Sequence, residues 1–349
     1  METLKINNKH IDHDHPVYII AELSANHNQD FDLAIESLKA IKETGADAVK
    51  LQTFTPDSMT LNLDKKEFMT REDSLWAGSK LYDLYKKAAT PYSWHEDLKI
   101  LADQLGLDFL SSPFDIKAVD FLDSLQVPAF KIASLEITDI PLIEHIASKG
   151  KPIILSTGIA SIDDIELAID ACHRMENTEI ALLKCTSVYP TPLSEANLRS
   201  IEFLRNRFKK VVGLSDHTPG NLATTCAVSL GACIIEKHFI LDKKIKSLDV
   251  DFSLDKNEFA KMVVAIREAE AMLGSEEYTV TDKMISARKS ARSLIATRKI
   301  HIGELFTIDN IKALRPGIGL HPKYYHKILG KPAKRNFETG TPLEESDLP

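Results

Sequence analysis

The chain has 349 residues, 44% of them hydrophobic, and a formal net charge of −8 at pH 7 with a pI of about 5.9. This acidic balance excludes a global basic field that would attract nucleic acid or an anionic membrane, and no run approaches the ~18 uninterrupted apolar residues of a membrane span. Four cysteines without ligand or disulfide spacing, and an amino terminus without the apolar core of a signal peptide, predict a reducing, cytoplasmic setting.

Eight short, mainly apolar runs alternate with helix-like segments over most of the chain. They are Tyr18–Ala21, Ala48–Leu51, Leu107–Leu110, Ala129–Ala133, Pro152–Leu155, Ile180–Leu183, Val211–Leu214 and Cys233–Ile235. Phe31–Thr44 carries apolar residues at a spacing of three and four, which indicates an amphipathic helix. Strand–helix alternation predicts a parallel α/β sheet, and eight repeats predict closure into a (β/α)8 TIM barrel of about 250 residues.

The segment between the second and third runs is too long for a single crossover. We predict an extended loop over the barrel mouth at Pro56–Gly78, then helices near Lys80–Ala89 and Tyr92–Gln104. Loops in this position commonly select the substrate.

Polar and ionisable residues follow the apolar runs, which places them at the carboxyl ends of the strands, the active face of such a barrel. They are Glu22, Lys50, Gln52, Ser112, Lys131, Ser134, Glu136, Ser156, Ser187, Tyr189, Ser215, His217 and His238. Any one of them taken singly is explained as a helix cap, a loop contact or a hydrogen-bonded core residue. Two lysines and a ring of hydroxyls at one mouth suit a phosphate and a carboxylate. His217 and His238 lie one repeat apart, so neighbouring strands would bring them to a shared divalent ion.

The character of the sequence changes after Met272–Gly274. Residues 276–290 are polar and predict a linker between a barrel domain at 1–275 and a small module at 291–349. The module has compact turn chemistry, as in Arg315–Gly317 and Glu338–Pro342, which favours an irregular β-rich fold. Its size is marginal for independent stability, so we expect it to pack against the barrel or a second subunit.

These segments, in this order, resemble the phosphoenolpyruvate-condensing sugar-acid synthases that make sialic acid and its relatives. The resemblance is carried by Ile20–Glu22 with Asn26 and His27, Val49–Gln52, Ser112–Phe114, Phe130–Ser134, Ile154–Gly158, Cys185–Pro192, Gly213–Thr218 and Glu236–Phe239. Ile302–Leu305 and Leu314–Gly317 make the small module similar to the antifreeze-like domain of these enzymes, also called the SAF or β-clip domain.

Within the family, Glu22–Gln29 and Ser74–His95 match the branch whose acceptor is 2,4-diacetamido-2,4,6-trideoxy-L-altrose. Ser187 and Ser112 stand where the sialic acid branch usually has Asn and Thr, and both keep a hydrogen-bonding side chain. The alternatives within the class are synthases of N-acetylneuraminate or legionaminate. Outside it are a non-catalytic carbohydrate-binding barrel and an aldolase that forms a Schiff base on Lys131 or Lys184.

The resemblance also implies roles for individual residues. The phosphate and carboxylate of phosphoenolpyruvate would be held by Lys50, Lys131, Ser112, Ser134, Ser156, Ser187 and Ser215. His217 and His238 would hold a divalent metal, Mn2+ by preference, with Co2+, Mg2+ or another divalent ion as alternatives. Glu22 would stabilise charge at C2 of phosphoenolpyruvate or accept a proton there.

Sugar recognition would involve residues from both domains. Glu136 and Glu236 would orient Lys131 or the metal shell. Tyr189 would shape the sugar or phosphoenolpyruvate pocket, and Asp249 would lie near the sugar. Arg315 matches an arginine that reaches the acyl group of the sugar in the other subunit's active site, which implies a domain-swapped homodimer.

Overall fold

Eight parallel strands close into a barrel in the structure, a computed structural model that describes residues 3–72, 74–274 and 277–349. The strands are β3 (Tyr18–Glu22), β4 (Ala48–Thr53), β5 (Asp108–Pro113), β6 (Phe130–Ile132), β7 (Ile153–Ser156), β8 (Ile180–Cys185), β9 (Val211–Asp216) and β10 (Ile234–His238). They pair in chain order, and β10 closes the barrel against β3 through the register His238 to Glu22. The predicted TIM barrel is confirmed, with all eight strands at the predicted runs.

A short amino-terminal hairpin, which the sequence did not indicate, precedes the barrel. Its strands β1 (Leu4–Ile6) and β2 (Lys9–Ile11) pair antiparallel, and their apolar side chains join the barrel interior beside Tyr18. Lys9 donates to the backbone oxygen of Asp47 and to the Asp108 carboxylate at 3.0 Å each. Since both acceptors lie at the amino ends of strands, the hairpin closes that end and leaves the opposite mouth open.

Helices surround the barrel. They are α1 (Phe31–Thr44), α2 (Pro56–Met59), α3 (Leu81–Ala88), α4 (His95–Leu105), α5 (Ile116–Ser124), α6 (Ile140–Ala147), α7 (Ile162–Arg174), α8 (Ser200–Phe208), α9 (Leu222–Ser229) and α10 (Lys256–Leu273). The α1 boundaries follow from local chemistry, because the Asp30 side chain accepts from the backbone of Leu33 and Gly45 adopts φ 86° at the other end. The predicted mouth loop includes α2 and a 3-10 turn at Lys66–Phe68, and its Asp73 lies outside the described residues.

The chain divides into two compact units, Met1–Gly274 and Ser275–Pro349. The second unit begins with a helix, α11 (Asp282–Arg288), inside the segment predicted as a linker. It continues with β11 (Ser293–Ala296) paired antiparallel to β12 (Ile311–Leu314), followed by a short helix, α12 (Tyr325–Ile328). Its own core includes Leu294, Ile300, Phe306, Ile311, Phe337 and Leu343. Among the described residues, no helix is both long and apolar enough to cross a membrane.

Candidate active site

The two predicted metal-binding histidines lie side by side at the open mouth of the barrel. His238 ends β10 and His217 follows β9, and their ring centroids are 5.3 Å apart. Each is 7% exposed. Burial, followed by the nearby His217, lowers the pKa of His238 well below its usual value, so this imidazole is neutral at pH 7.

A divalent ion fits this pair on the chemistry of the donors. Nδ1 of His238 has no hydrogen-bond partner in the part of the chain that the structure describes, and the Asp249 carboxylate lies 3.8 Å from it. No set of three or more His, Cys, Asp or Glu side chains among the described residues forms a complete metal shell. Two imidazoles would therefore supply part of the coordination and leave positions for water and substrate.

Two buried lysines and two buried carboxylates form a charged network inside the barrel. Lys50 Nζ lies 2.7 Å from Glu22 Oε2 and 3.8 Å from Glu236 Oε1. Lys131 Nζ lies 4.0 Å from the same Glu236 oxygen, which also accepts from Ser215 at 3.0 Å. The network joins residues from five strands, β3, β4, β6, β9 and β10, and so depends on barrel closure.

The network shifts the pKa values of the two carboxyl groups in opposite directions. Burial raises the pKa of Glu22 to about 7, against the opposing charge of Lys50. Burial also acts on Glu236, but the charges of Lys131 and Lys50 outweigh it and lower the pKa of that carboxyl group. At neutral pH Glu236 is thus ionised, while Glu22 exchanges a proton with its surroundings.

The pKa values of the two lysines also shift in opposite directions. Burial would lower the pKa of Lys50, but Glu22 and Glu236 outweigh it and raise that pKa. For Lys131 burial prevails and lowers the pKa. Lys131 donates to neutral oxygens, Ser156 Oγ at 2.7 Å and the backbone oxygen of Ile132 at 2.9 Å, so an anionic ligand can still compensate its charge.

Hydroxyl groups surround these charges. Ser112 Oγ accepts from Lys50 at 3.3 Å, and Ser134 Oγ accepts from the backbone N–H of Gly158 at 3.0 Å. A Cβ on Gly158 would lie 2.3 Å from Ser187 Oγ and 2.6 Å from Ser134 Oγ. Only glycine therefore leaves both hydroxyls in place at this point, where a phosphate could accept from them.

A cavity of about 370 Å³ opens at the mouth beside the histidines. The predicted site residues that line it are Gln52, Ser134, Glu136, Tyr189, His238 and Asp249. Gln52 donates to Glu22 Oε1 at 3.0 Å and thereby joins the cavity to the charged network. A larger groove of about 930 Å³, at Thr55, Asp115 and Asp139, contains none of the predicted site residues.

Glu136 is the least satisfied carboxylate of the cavity. Burial raises its pKa to about 7, and its Oε2 has no hydrogen-bond partner among the residues described. Tyr189 lies beside the two predicted metal-binding histidines, with its ring centroid 4.4 Å from that of His217. Asp249 accepts from the backbone N–H of Ala25 at 3.3 Å, which fixes its carboxylate beside His238.

Some residues of the site were not anticipated. Cys185, one of the four cysteines without ligand or disulfide spacing, places its Sγ 3.8 Å from Nδ1 of His217. Trp76 and Phe252 line the cavity, and the Trp76 indole N–H donates to the backbone oxygen of Leu248 at 3.1 Å. Nothing in the apolar spacing distinguishes these residues from core positions.

Two candidates stand apart from the network. Lys184 donates to the backbone oxygen of Cys185 at 2.8 Å and to Thr186 Oγ1 at 2.5 Å, and it does not line the cavity. Arg315 lies in the second unit, exposed on the turn after β12. Its reach into a partner's site stays a prediction.

Comparison with known proteins adds an independent line of evidence. A model described as the NeuB family matches residues 37–278, and a model of the SAF domain matches residues 291–349. A pseudaminic acid synthase of Helicobacter pylori is 50% identical over 95% of this chain and 98% of its own length. A pseudaminic acid synthase of Campylobacter jejuni is 46% identical over 96% of this chain and 97% of its own length.

Solved structures agree in fold. An N-acetylneuraminic acid synthetase from Leptospira borgpetersenii superposes with a TM-score of 0.74 at 29% identity, covering 82% of this chain and 94% of that one. The spore coat polysaccharide biosynthesis protein SpsE of Bacillus subtilis superposes with a TM-score of 0.67 at 34% identity, covering 100% and 99%.

Proposed function

The chain belongs to the NeuB family, and on that premise we propose that it acts as a pseudaminic acid synthase, a phosphoenolpyruvate-dependent C–C bond-forming transferase. It joins C3 of phosphoenolpyruvate to the aldehyde carbon of 2,4-diacetamido-2,4,6-trideoxy-L-altrose. Water adds at C2, and the bond between C2 and the bridging oxygen breaks to release phosphate. The observation that carries the proposal is the buried Glu22–Lys50–Glu236–Lys131 network beside a neutral His238.

Phosphoenolpyruvate binds at the two lysines. Its phosphate and carboxylate replace the long contacts of Lys50 and Lys131 with Glu236, at 3.8 and 4.0 Å, and the surrounding hydroxyls fix its orientation. The hydroxyls are those of Ser112, Ser134, Ser156, Ser187 and Ser215. Burial makes each of these charge-assisted contacts stronger than it would be in water.

His217 and His238 would hold a divalent metal, with Mn2+ as the ion that the family resemblance implies. When bound, such an ion would supply Lewis-acid polarisation of the acceptor aldehyde. The Asp249 carboxylate lies 3.8 Å from Nδ1 of His238, and Tyr189 packs edge-on against His217.

Glu22 acts at C2. Once the new C–C bond has formed, positive charge develops at C2 and water must attack there. A carboxylate with a pKa of about 7 accepts the proton of that water near neutral pH, and its charge stabilises the cation. Gln52 keeps Glu22 in place through the hydrogen bond between Nε2 and Oε1.

The acceptor sugar occupies the 370 Å³ cavity, where Glu136 and Asp249 offer carboxylate oxygens to its hydroxyl and amide groups. Arg315 contacts the acyl group of a sugar bound in a second subunit, which makes the working enzyme a domain-swapped homodimer. The support for this is the similarity of the Leu314–Gly317 turn to that of the family and the exposure of Arg315.

The proposal is tested by measuring phosphate release from phosphoenolpyruvate after chelation and Mn2+ add-back. Three aldoses are compared, namely the diacetamido-trideoxy-altrose, N-acetylmannosamine and the legionaminic acid precursor. Metal-dependent release with the altrose is expected. Phosphate release with another sugar instead would identify the protein as a sialic or legionaminic acid synthase. No release with any of the three sugars would contradict the synthase assignment.

A further inference from the structure

Helix α3 turns its apolar face toward the cavity and away from the barrel core. Leu81, Leu84, Tyr85 and Ala88 follow the i, i+3, i+4, i+7 spacing of one helix face, and all four line the cavity. None is buried, and none belongs to the core clusters of the barrel. A surface helix normally covers its apolar stripe against the core, so this stripe lacks the contact that its pattern predicts.

The apolar surface continues beyond the helix. Met59 of α2 and Trp76 of the mouth loop line the same cavity, and the Tyr85 ring centroid lies 5.9 Å from that of Phe54. The Trp76 indole N–H already donates to Leu248, and its ring centroid is 6.2 Å from that of Tyr189. We define the apolar wall as Met59, Trp76, Leu81, Leu84 and Tyr85.

The cavity lining also has a polar part. Glu136, His238 and Asp249 belong to it, and Thr70, Arg71 and Ser74 of the mouth loop also line it. A ligand held here therefore meets charged and metal-binding groups on part of its surface and hydrocarbon on another part. Continuity with His238 ties the apolar wall to the reacting centre.

We propose that the apolar wall binds the methyl-bearing distal half of the acceptor sugar, the C6 methyl and the N4-acetyl group, and so selects deoxygenated, acetylated acceptors. This rests on the proposed function. The aldehyde end of the sugar must lie at His238 for condensation, which leaves the C4–C6 end to contact the wall. A sugar with hydroxyl groups at C4 or C6 would place them against leucine side chains that offer no hydrogen bond.

The size of the effect follows from the chemistry of apolar pockets. One methyl group in such a pocket changes kcat/KM by about 10- to 200-fold, and rejection of an added hydroxyl is limited to about 100-fold. The wall should therefore favour the trideoxy sugar over its C6-hydroxyl analogue by about 10- to 100-fold. Glu136 and Asp249 contribute to both sugars and largely cancel from this ratio.

The test compares kcat/KM for three acceptors, the trideoxy sugar, the same sugar with a C6 hydroxyl, and the same sugar with a C4 hydroxyl in place of the acetamido group. Leu84→Ser and, separately, Leu81→Ser place a hydroxyl on the wall. Leu61→Ser is the matched control, because Leu61 is 61% exposed and does not line the cavity. The KM for phosphoenolpyruvate and the circular dichroism melt are recorded for each variant.

We expect each wall variant to reduce the preference for the trideoxy sugar by about 10-fold, with the phosphoenolpyruvate KM unchanged and the control identical to wild type. Unchanged ratios for both analogues in both wall variants would overturn the inference, as would an equal loss in Leu61→Ser. A wild-type enzyme that uses hydroxylated acceptors equally well would overturn it while leaving the synthase activity standing. No turnover of the trideoxy sugar by wild type would instead overturn the proposed function.

Discussion

Glu136→Gln is expected to stabilise the protein while weakening its use of the sugar. Burial holds the pKa of Glu136 at about 7 against an ordinary value of 4.5. Between those two values the unfolded chain has released its proton and the folded chain has not, so stability falls as pH rises. Glutamine mimics the protonated acid and removes this dependence. The difference in unfolding free energy, variant minus wild type, should grow from roughly 1 kcal/mol near pH 5 to roughly 3 kcal/mol near pH 8.

The assay is urea denaturation of both proteins across this pH range, with the difference between them taken at each pH so that other titrating groups cancel. Glu268→Gln is the control, since Glu268 is exposed on α10 and lacks the burial that acts on Glu136. A flat curve for Glu136→Gln, or a variant less stable than wild type near pH 8, would refute the reasoning. The KM for the acceptor sugar should rise in the same variant, because the unpartnered Oε2 is offered to the sugar.

Three further substitutions test the roles of individual residues in proton transfer, phosphate binding and sugar binding. Glu22→Gln should lower kcat by about 100- to 10,000-fold and abolish the acidic limb of the profile of kcat against pH near 7. An unchanged acidic limb would exclude Glu22 from proton transfer. Gly158→Ala should raise the KM for phosphoenolpyruvate far more than that for the sugar, because its Cβ would lie 2.3 Å from Ser187 Oγ, and the opposite split would contradict the phosphate assignment. Arg315→Ala should raise the KM for the sugar and leave the KM for phosphoenolpyruvate unchanged. An unchanged KM for the sugar would contradict the proposed contact of Arg315 with the sugar of the other subunit.

The barrel could be predicted from the sequence because each buried strand is a continuous apolar run that ends in polar residues. Lys131 departs from this pattern, since it stands inside the three-residue strand Phe130–Ile132 and still lies in the charged network. The amino-terminal hairpin escaped prediction because three-residue strands are too short to show a period. Its closure of one end of the barrel follows from the contacts of Lys9 and from the packing of Leu4 and Ile6.

The sequence predicted which residues form the site but not how their side chains contact one another. Glu236 was expected to have an orienting role, and only the fold places its carboxylate between Lys50 and Lys131. The stripe on α3 was recognised as a helix, but sequence periodicity cannot distinguish an apolar face that covers a core from one that lines a cavity. Cys185 was overlooked for the same reason, because a buried strand residue carries no mark of which neighbour it meets.

The most direct measurement of the condensation uses phosphoenolpyruvate labelled with 18O in the bridge between C2 and phosphorus. With the diacetamido-trideoxy-altrose and Mn2+, mass spectrometry should find the label in the released phosphate and an unlabelled nine-carbon sugar acid. Label retained in the sugar acid would place bond cleavage at phosphorus and contradict water attack at C2. Absence of the sugar acid would contradict the synthase account as a whole.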